Sequence, residues 1–164
     1  RIAVINKGIL QQIDTPQSLY DNPDNLFVAG FIGSPAMNFF KAKLVKSDGK
    51  LFVDASSFKV EVPAERNDVY LKYVDKPVIM GIRPEDIHDQ HFQPPSIFPQ
   101  LVDGTIDVTE LMGNEIFLYI TSGEHAYVAR VDPRSKAGMG DKTQIVFNAA
   151  NRHLFDPDTE QAIR

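Results

Sequence analysis

The rhythm of apolar and polar positions changes once along this chain, near Pro35. Before it, two apolar runs, Ile2 to Ile5 and Ile9 to Ile13, flank Asn6-Lys7-Gly8. Glycine accepts the positive φ of a tight loop, so the segment predicts a hairpin. Asp14-Thr15-Pro16 then places a capping residue before a proline at the first helical position. A short helix over Gln17 to Tyr20, ending near Asn22-Pro23, follows from it. A second helix fits Asp24 to Ile32, capped by Asp24 or Asn25, with Leu26, Phe27, Gly30 and Phe31 on one face. Gly33-Ser34-Pro35 stops it. Leu26, Phe27, Phe31, Phe39 and Phe40 are expected to be core where the two parts of the chain join.

Beyond Met37 the pattern becomes one of short strands and turns. Phe39 to Lys46 alternates, Ser47-Asp48-Gly49-Lys50 turns into Leu51 to Asp54, and Phe58 to Val62 alternates cleanly as a half-buried strand. A charged helical stretch, Ala64 to Tyr73, carries Val69, Leu71 and Tyr73. Val78 to Ile82 has the composition of a buried strand. His88 to Pro99 holds three of the eleven prolines and reads as a loop. Strands are then expected at Thr105 to Leu111, Asn114 to Thr121, His125 to Val131 and Thr143 to Asn148, with short segments at Leu154-Phe155 and Ala162-Ile163. Strands at this spacing point to a small barrel or sandwich.

Composition narrows the classes. Of 164 residues, 43% are hydrophobic and 24% charged, an ordinary globular mix. There is no cysteine, which excludes disulfides and thiolate metal sites. The formal charge is −5, with Lys and Arg scattered among more numerous acids, which argues against a nucleic-acid partner. No apolar run approaches the roughly 20 residues of a membrane-spanning helix. The chain opens on strand-like Arg1-Ile2-Ala3-Val4-Ile5 without an initiator Met, as expected of a piece of a longer protein.

Few positions carry candidate chemistry. Asp86, His88, Asp89 and His91 lie in a proline-rich region with no element to converge them, so a solvated loop is expected rather than a metal site. Glu124-His125 reads as a polar turn after Gly123, and Asp156-Pro157-Asp158 as a turn opener. Gly81-Ile82-Arg83-Pro84-Glu85 stands out. Pro84 restricts Arg83 to extended geometry, so the strand must end there. Arg83 and Glu85 then either make an ion pair and a turn cap or meet a second subunit. In the run Glu115 to Ile120, Ile116, Leu118 and Ile120 point one way and are expected in the core. Phe117 and Tyr119 point the other way and are open to a subunit contact.

Four of these segments together resemble one family. Leu19-Tyr20-Asp21-Asn22-Pro23, with the run Leu26 to Asn38, is similar to the end of the nucleotide-binding domain in maltose-type ABC ATPase subunits. Gly81 to Glu85, the turn Glu110 to Glu115 around Gly113, and His153-Leu154-Phe155-Asp156 resemble motifs of the regulatory domain that follows there. The resemblance implies a mainly β fold: residues 1–36 as the remnant of the nucleotide-binding domain, and 37–164 as an OB-type, transport-associated regulatory barrel. It further implies a homodimer through that barrel, membrane permease subunits reached through the nucleotide-binding domain, and in some members a regulatory protein. Such subunits sit at the cytoplasmic face of the membrane and energise uptake of oligosaccharides or polyols. Gly81, Arg83, Pro84, Glu85, Gly113, Phe117, Tyr119 and Phe155 become the candidate interface or regulatory residues.

The chain departs from the family in lacking the glycine-rich phosphate loop ending in Gly-Lys-Ser/Thr. No catalytic, cofactor or metal site is therefore expected within it, ATP and Mg²⁺ belonging to the full-length parent. An oxyanion-sensing OB domain is the alternative. No Ser/Thr/Lys cluster at a turn calls for it.

Overall fold

Lys7 and Gly8, at φ 48° and 80°, close a hairpin of β1 (Ile2–Asn6) and β2 (Ile9–Asp14). The computed structural model describes all 164 residues, the side chain of Arg66 excepted. The Thr15 side chain accepts from Ser18 N at 3.2 Å and starts α1 (Pro16–Asp21). Asn25 Oδ1 accepts from Val28 N at 3.0 Å and starts α2 (Leu26–Phe31). Each side chain satisfies a first-turn donor that the helix itself leaves unpaired. Val4, Leu19 and Val28 make the small core of this N-terminal unit.

The rest of the chain builds two curled antiparallel sheets. One contains β3 (Asn38–Ser47), β4 (Lys50–Asp54), β5 (Lys59–Val62), β6 (Pro77–Ile82) and β12 (His153–Phe155), in the order β12-β6-β3-β4-β5. The other contains β7 (Ile87–Asp89), β8 (Pro99–Leu111), β9 (Ile116–Ser122), β10 (His125–Val131) and β11 (Lys142–Asn148), in the order β10-β9-β8-β11-β7. A register shift between Ile106 and Val108 bends β8, as an extra residue in one strand does. The inward rows of both sheets form one core. Phe40, Phe58, Tyr127 and Phe147 fill its middle, with ring centroids 5.2 to 5.8 Å apart.

Side-chain amides close two places where the sheets meet. Asn38 Nδ2 donates to Val128 O at 2.8 Å and its Oδ1 accepts from Val128 N at 2.9 Å, satisfying one residue of β10. Gln100 Oε1 accepts from Glu61 N at 2.8 Å and links β8 to β5. The buried backbone groups that a ladder would pair are met here by side chains.

The expected strands and the mainly β class hold, with four corrections. Phe31 is 65% exposed and Phe39 also faces out, whereas α2 buries Val28 and Ala29. Phe39 and Phe40 are consecutive in β3 and so point to opposite faces; Phe40 enters the barrel core. The stretch 64–73 is α3 (Asn67–Tyr70) between two 3₁₀ turns, and it buries Tyr70 while Leu71 stays exposed. The start of the expected loop 88–99 is strand β7, paired with β11.

Candidate functional site

Pro84 ends β6 as expected: Arg83 is extended at φ −79° and ψ 152°, and a 3₁₀ turn over Pro84–Asp86 follows. That stop turns the Arg83 side chain towards the N-terminal unit. Its Nη1 donates to Ile32 O at 2.8 Å and its Nη2 to Tyr20 O at 2.6 Å. The guanidinium carbon lies 3.7 Å from the Tyr20 ring centroid. Arg83 is 3% exposed. Of the two readings, the ion pair is not made among the described residues; backbone carbonyls and an aromatic face hold Arg83 instead. Burial brings the Arg83 guanidinium down to about 10, with the charges of Asp86 and Asp21 opposing.

Beside it a cleft of about 370 Å³ opens at the seam between the N-terminal unit and the barrel. Tyr20, Asp21, Arg83, Glu85, Asp86, Asn151 and Arg152 are among its lining residues. Glu85 is half-buried at this rim and makes no turn cap through its side chain. Asp86 accepts from Asn151 Nδ2 at 2.6 Å and from Asn148 Nδ2 at 3.4 Å. Burial raises the Asp86 carboxyl above its ordinary range despite these bonds.

Gly81 and Phe155 belong to the same junction but lie inside it. A Cβ on Gly81 would stand 2.5 Å from Met37 Sδ and 3.1 Å from Phe155 Cε2. Phe155 packs with Ala29 and Met37 and is edge-on to Phe39. Gly81, Arg83, Pro84 and Phe155 are all buried, so none offers an exposed contact to a second subunit.

Gly113, Phe117 and Tyr119 are brought together elsewhere, on the β8–β9 hairpin. Gly113 has φ 88° with open space around it, so the turn needs its conformation rather than its size. Tyr119 faces out between Val108 and Val128, and its hydroxyl donates to Glu110 Oε2 at 3.0 Å. Leu111, 76% exposed, pairs with Ile116 on the opposite side of the hairpin, and Met112 is exposed in the turn. Phe117 is half-buried beside Arg130, which pairs with Glu115 at 3.1 Å.

The remaining candidates are structural. Asp89 is buried, accepts from His91 N and Ser135 Oγ, and holds its carboxyl below the ordinary range through these bonds, against the opposing effect of burial. Among the described residues, no group of three or more His, Cys, Asp or Glu side chains is placed to hold a metal. His125 Nε2 lies 3.0 Å from Ala55 O, and its ring meets Phe40 and Phe58 edge-on. Sequence reasoning missed Asn38, Asn151 and the tail after Glu160, because single polar residues at a strand start, in a turn or at the chain end carry no periodic signal. It also missed a groove lined by Thr105, Thr121, Ser122, Lys142 and Thr143, drawn together from three strands.

Residues 33–87, which span the junction, Gly81 to Glu85 and Asp86, match the MalK OB fold domain. The chain carries an OB-fold domain. Over 99–100% of its length it is also 39–42% identical to import ATP-binding proteins. These include the oligosaccharides import protein MsmX of Bacillus subtilis, at 42%, and the trehalose/maltose import protein MalK of Thermococcus litoralis, at 39%. The osmoprotective compounds uptake protein GgtA of Synechocystis is 41% identical. The chain spans 44% of the length of each of these relatives. The chain also shares its fold with the cytoplasmic molybdate-binding protein ModG, with a TM-score of 0.52 and 17% identity over 73% of this chain and 96% of that one.

Proposed function

We propose that this chain is the regulatory and dimerisation part of an ABC transporter ATP-binding subunit that energises uptake of oligosaccharides or polyols. The supporting observation is its end-to-end identity with import ATP-binding proteins, joined to a barrel of the MalK type. The catalytic part of such a subunit, with ATP and Mg²⁺, would lie outside these residues, since no glycine-rich phosphate loop is present among them. The apolar outer face of the β1–β2 hairpin, with Ile5, Leu10 and Ile13 exposed, is where that part would pack. Residues 1–36 are then its last portion and 37–164 the regulatory domain. The subunit would work at the cytoplasmic face of the membrane through permease subunits. Among the described residues no helix is long and apolar enough to cross a membrane.

The outer face carrying Val108, Phe117 and Tyr119 is the proposed contact between two copies. Holding the barrels together keeps the attached halves at high effective concentration between closures. Sedimentation equilibrium tests this with three proteins. The wild-type chain should dimerise, Val108→Glu should be monomeric, and Leu10→Glu on the hairpin should still dimerise. A wild-type monomer, or a dimer broken only by Leu10→Glu, counts against the barrel contact.

A second reading, oxyanion sensing, draws on the hydroxyl-lined groove between β8, β9 and β11 and on the fold shared with ModG. Asp103 in the same groove opposes an anion. A thermal shift with molybdate or sulfate that is lost in Lys142→Ala would favour this reading.

A further inference from the structure

The N-terminal unit touches the barrel through three kinds of contact. Arg83 is the first, reaching from the end of β6 to Tyr20 and Ile32. The second is the C-terminal tail. Leu26 N donates to Glu160 O at 2.9 Å and Ala162 N donates to Asp24 O at 2.9 Å, so the tail pairs with the chain leading into α2. On its other side the tail pairs with the barrel: Phe155 and Ala162 form a β-bridge, and Ile163 N donates to Leu154 O at 2.8 Å. The third is the apolar contact of Ala29 with Met37 and Phe155. The tail is therefore a strap stitched to both bodies, and Arg83 is the rivet beside it.

The chemistry of the rivet is demanding. A planar guanidinium offers a rigid fork of donors that a lysine cannot reproduce. Here the fork spans two carbonyls at the ends of different helices, with the Tyr20 ring beneath it. Arg83 Nε is buried and has no hydrogen-bond partner among the described residues. A charge taken out of water without a carboxylate partner is costly, so this position is held by the geometry it imposes rather than by the stability of an ion pair. The contacts at Ile32 and Tyr20 are main-chain carbonyls, which side-chain changes in the N-terminal unit leave in place.

We infer that Arg83 and the strap Glu160–Ile163 form a latch that makes residues 1–32 and the barrel one mechanical body. A displacement imposed on the N-terminal hairpin or helices is carried through the latch to β6 and β12 rather than absorbed at the linker around Pro35. The inference stands on contacts within one chain, and its test does not depend on dimerisation or on the identity of any transported compound.

Hydrogen exchange on the intact chain, read segment by segment, tests the latch with Arg83→Met, Arg83→Lys and Ala162→Pro. Local openings below the global unfolding limit show which segments act as one unit. In the wild type, the protected amides of β2, α1 and α2 should exchange with the same free energy as those of β3 and β6. In Arg83→Met and Ala162→Pro they should exchange about tenfold faster or more while the β8, β9 and β11 amides keep their rates. Arg83→Lys, which keeps charge and folds most readily, should follow Arg83→Met. Unchanged exchange in residues 1–32 across the variants overturns the latch. Equal acceleration throughout the barrel also overturns it, because Arg83 would then be a general stability residue.

Discussion

Gly81 sits where Met37 and Phe155 leave no room for a Cβ. Gly81→Ala overpacks a buried junction, and such changes cost about 1–3 kcal/mol; denaturant titration should show a lower midpoint with an unchanged slope. Asp86 gives a pH signature. Its carboxyl is raised in the folded chain by burial, from an unfolded value near 3.8. As pH rises from that value through the raised folded value, the unfolded chain releases its proton first, so stability falls across this window. Below it both forms are neutral, and nothing is gained or lost. Asp86→Asn should therefore be at least as stable as wild type at pH 7, with the advantage vanishing below about pH 4. Melting temperatures at a series of pH values measure this, and an advantage that grows with acid would contradict the assignment.

Among the elements, β9 shows the two faces of a strand at work. Leu118 is buried in the barrel core while its neighbour Tyr119 lies outside. Leu118→Ala should cost about 2–5 kcal/mol. Tyr119→Ala should cost about 0.5 kcal/mol or less in the monomer, as surface changes do, and its effect should appear in association. Asn38→Ala strips both partners from the Val128 backbone, an expected loss of about 1–3 kcal/mol by thermal or denaturant unfolding. The alternation in β9 was readable from residue types alone, because a period of two needs no partner to be seen. The role of Asn38 was not, since an Asn three residues after a proline has many uses. The helix face of α2 was misread for a related reason. With only six residues, α2 packs Val28 against Val4 and Leu19, and Ala29 against Met37 and Phe155.

Across the whole molecule, the candidate residues divide into two groups that sequence order does not separate. Gly81, Arg83, Pro84 and Phe155 build a buried junction, and Gly113, Phe117 and Tyr119 mark an outer face. The division predicts different phenotypes: junction variants alter the coupling and stability of one chain, whereas outer-face variants alter association at constant stability. Sequence by itself determined the order of the strands other than β7, the cap at Thr15, the end of β6 at Pro84 and the inner row of β9. Each of these follows from local sterics or from a short period. Only the tertiary structure decided that Arg83 reaches across 51 residues of sequence to Ile32, and that the tail runs between two bodies. It alone showed that Phe31 and Phe39 face out. Those outcomes depend on which surfaces meet after the sheets curl, and burial at a meeting of distant segments leaves no trace in the local pattern.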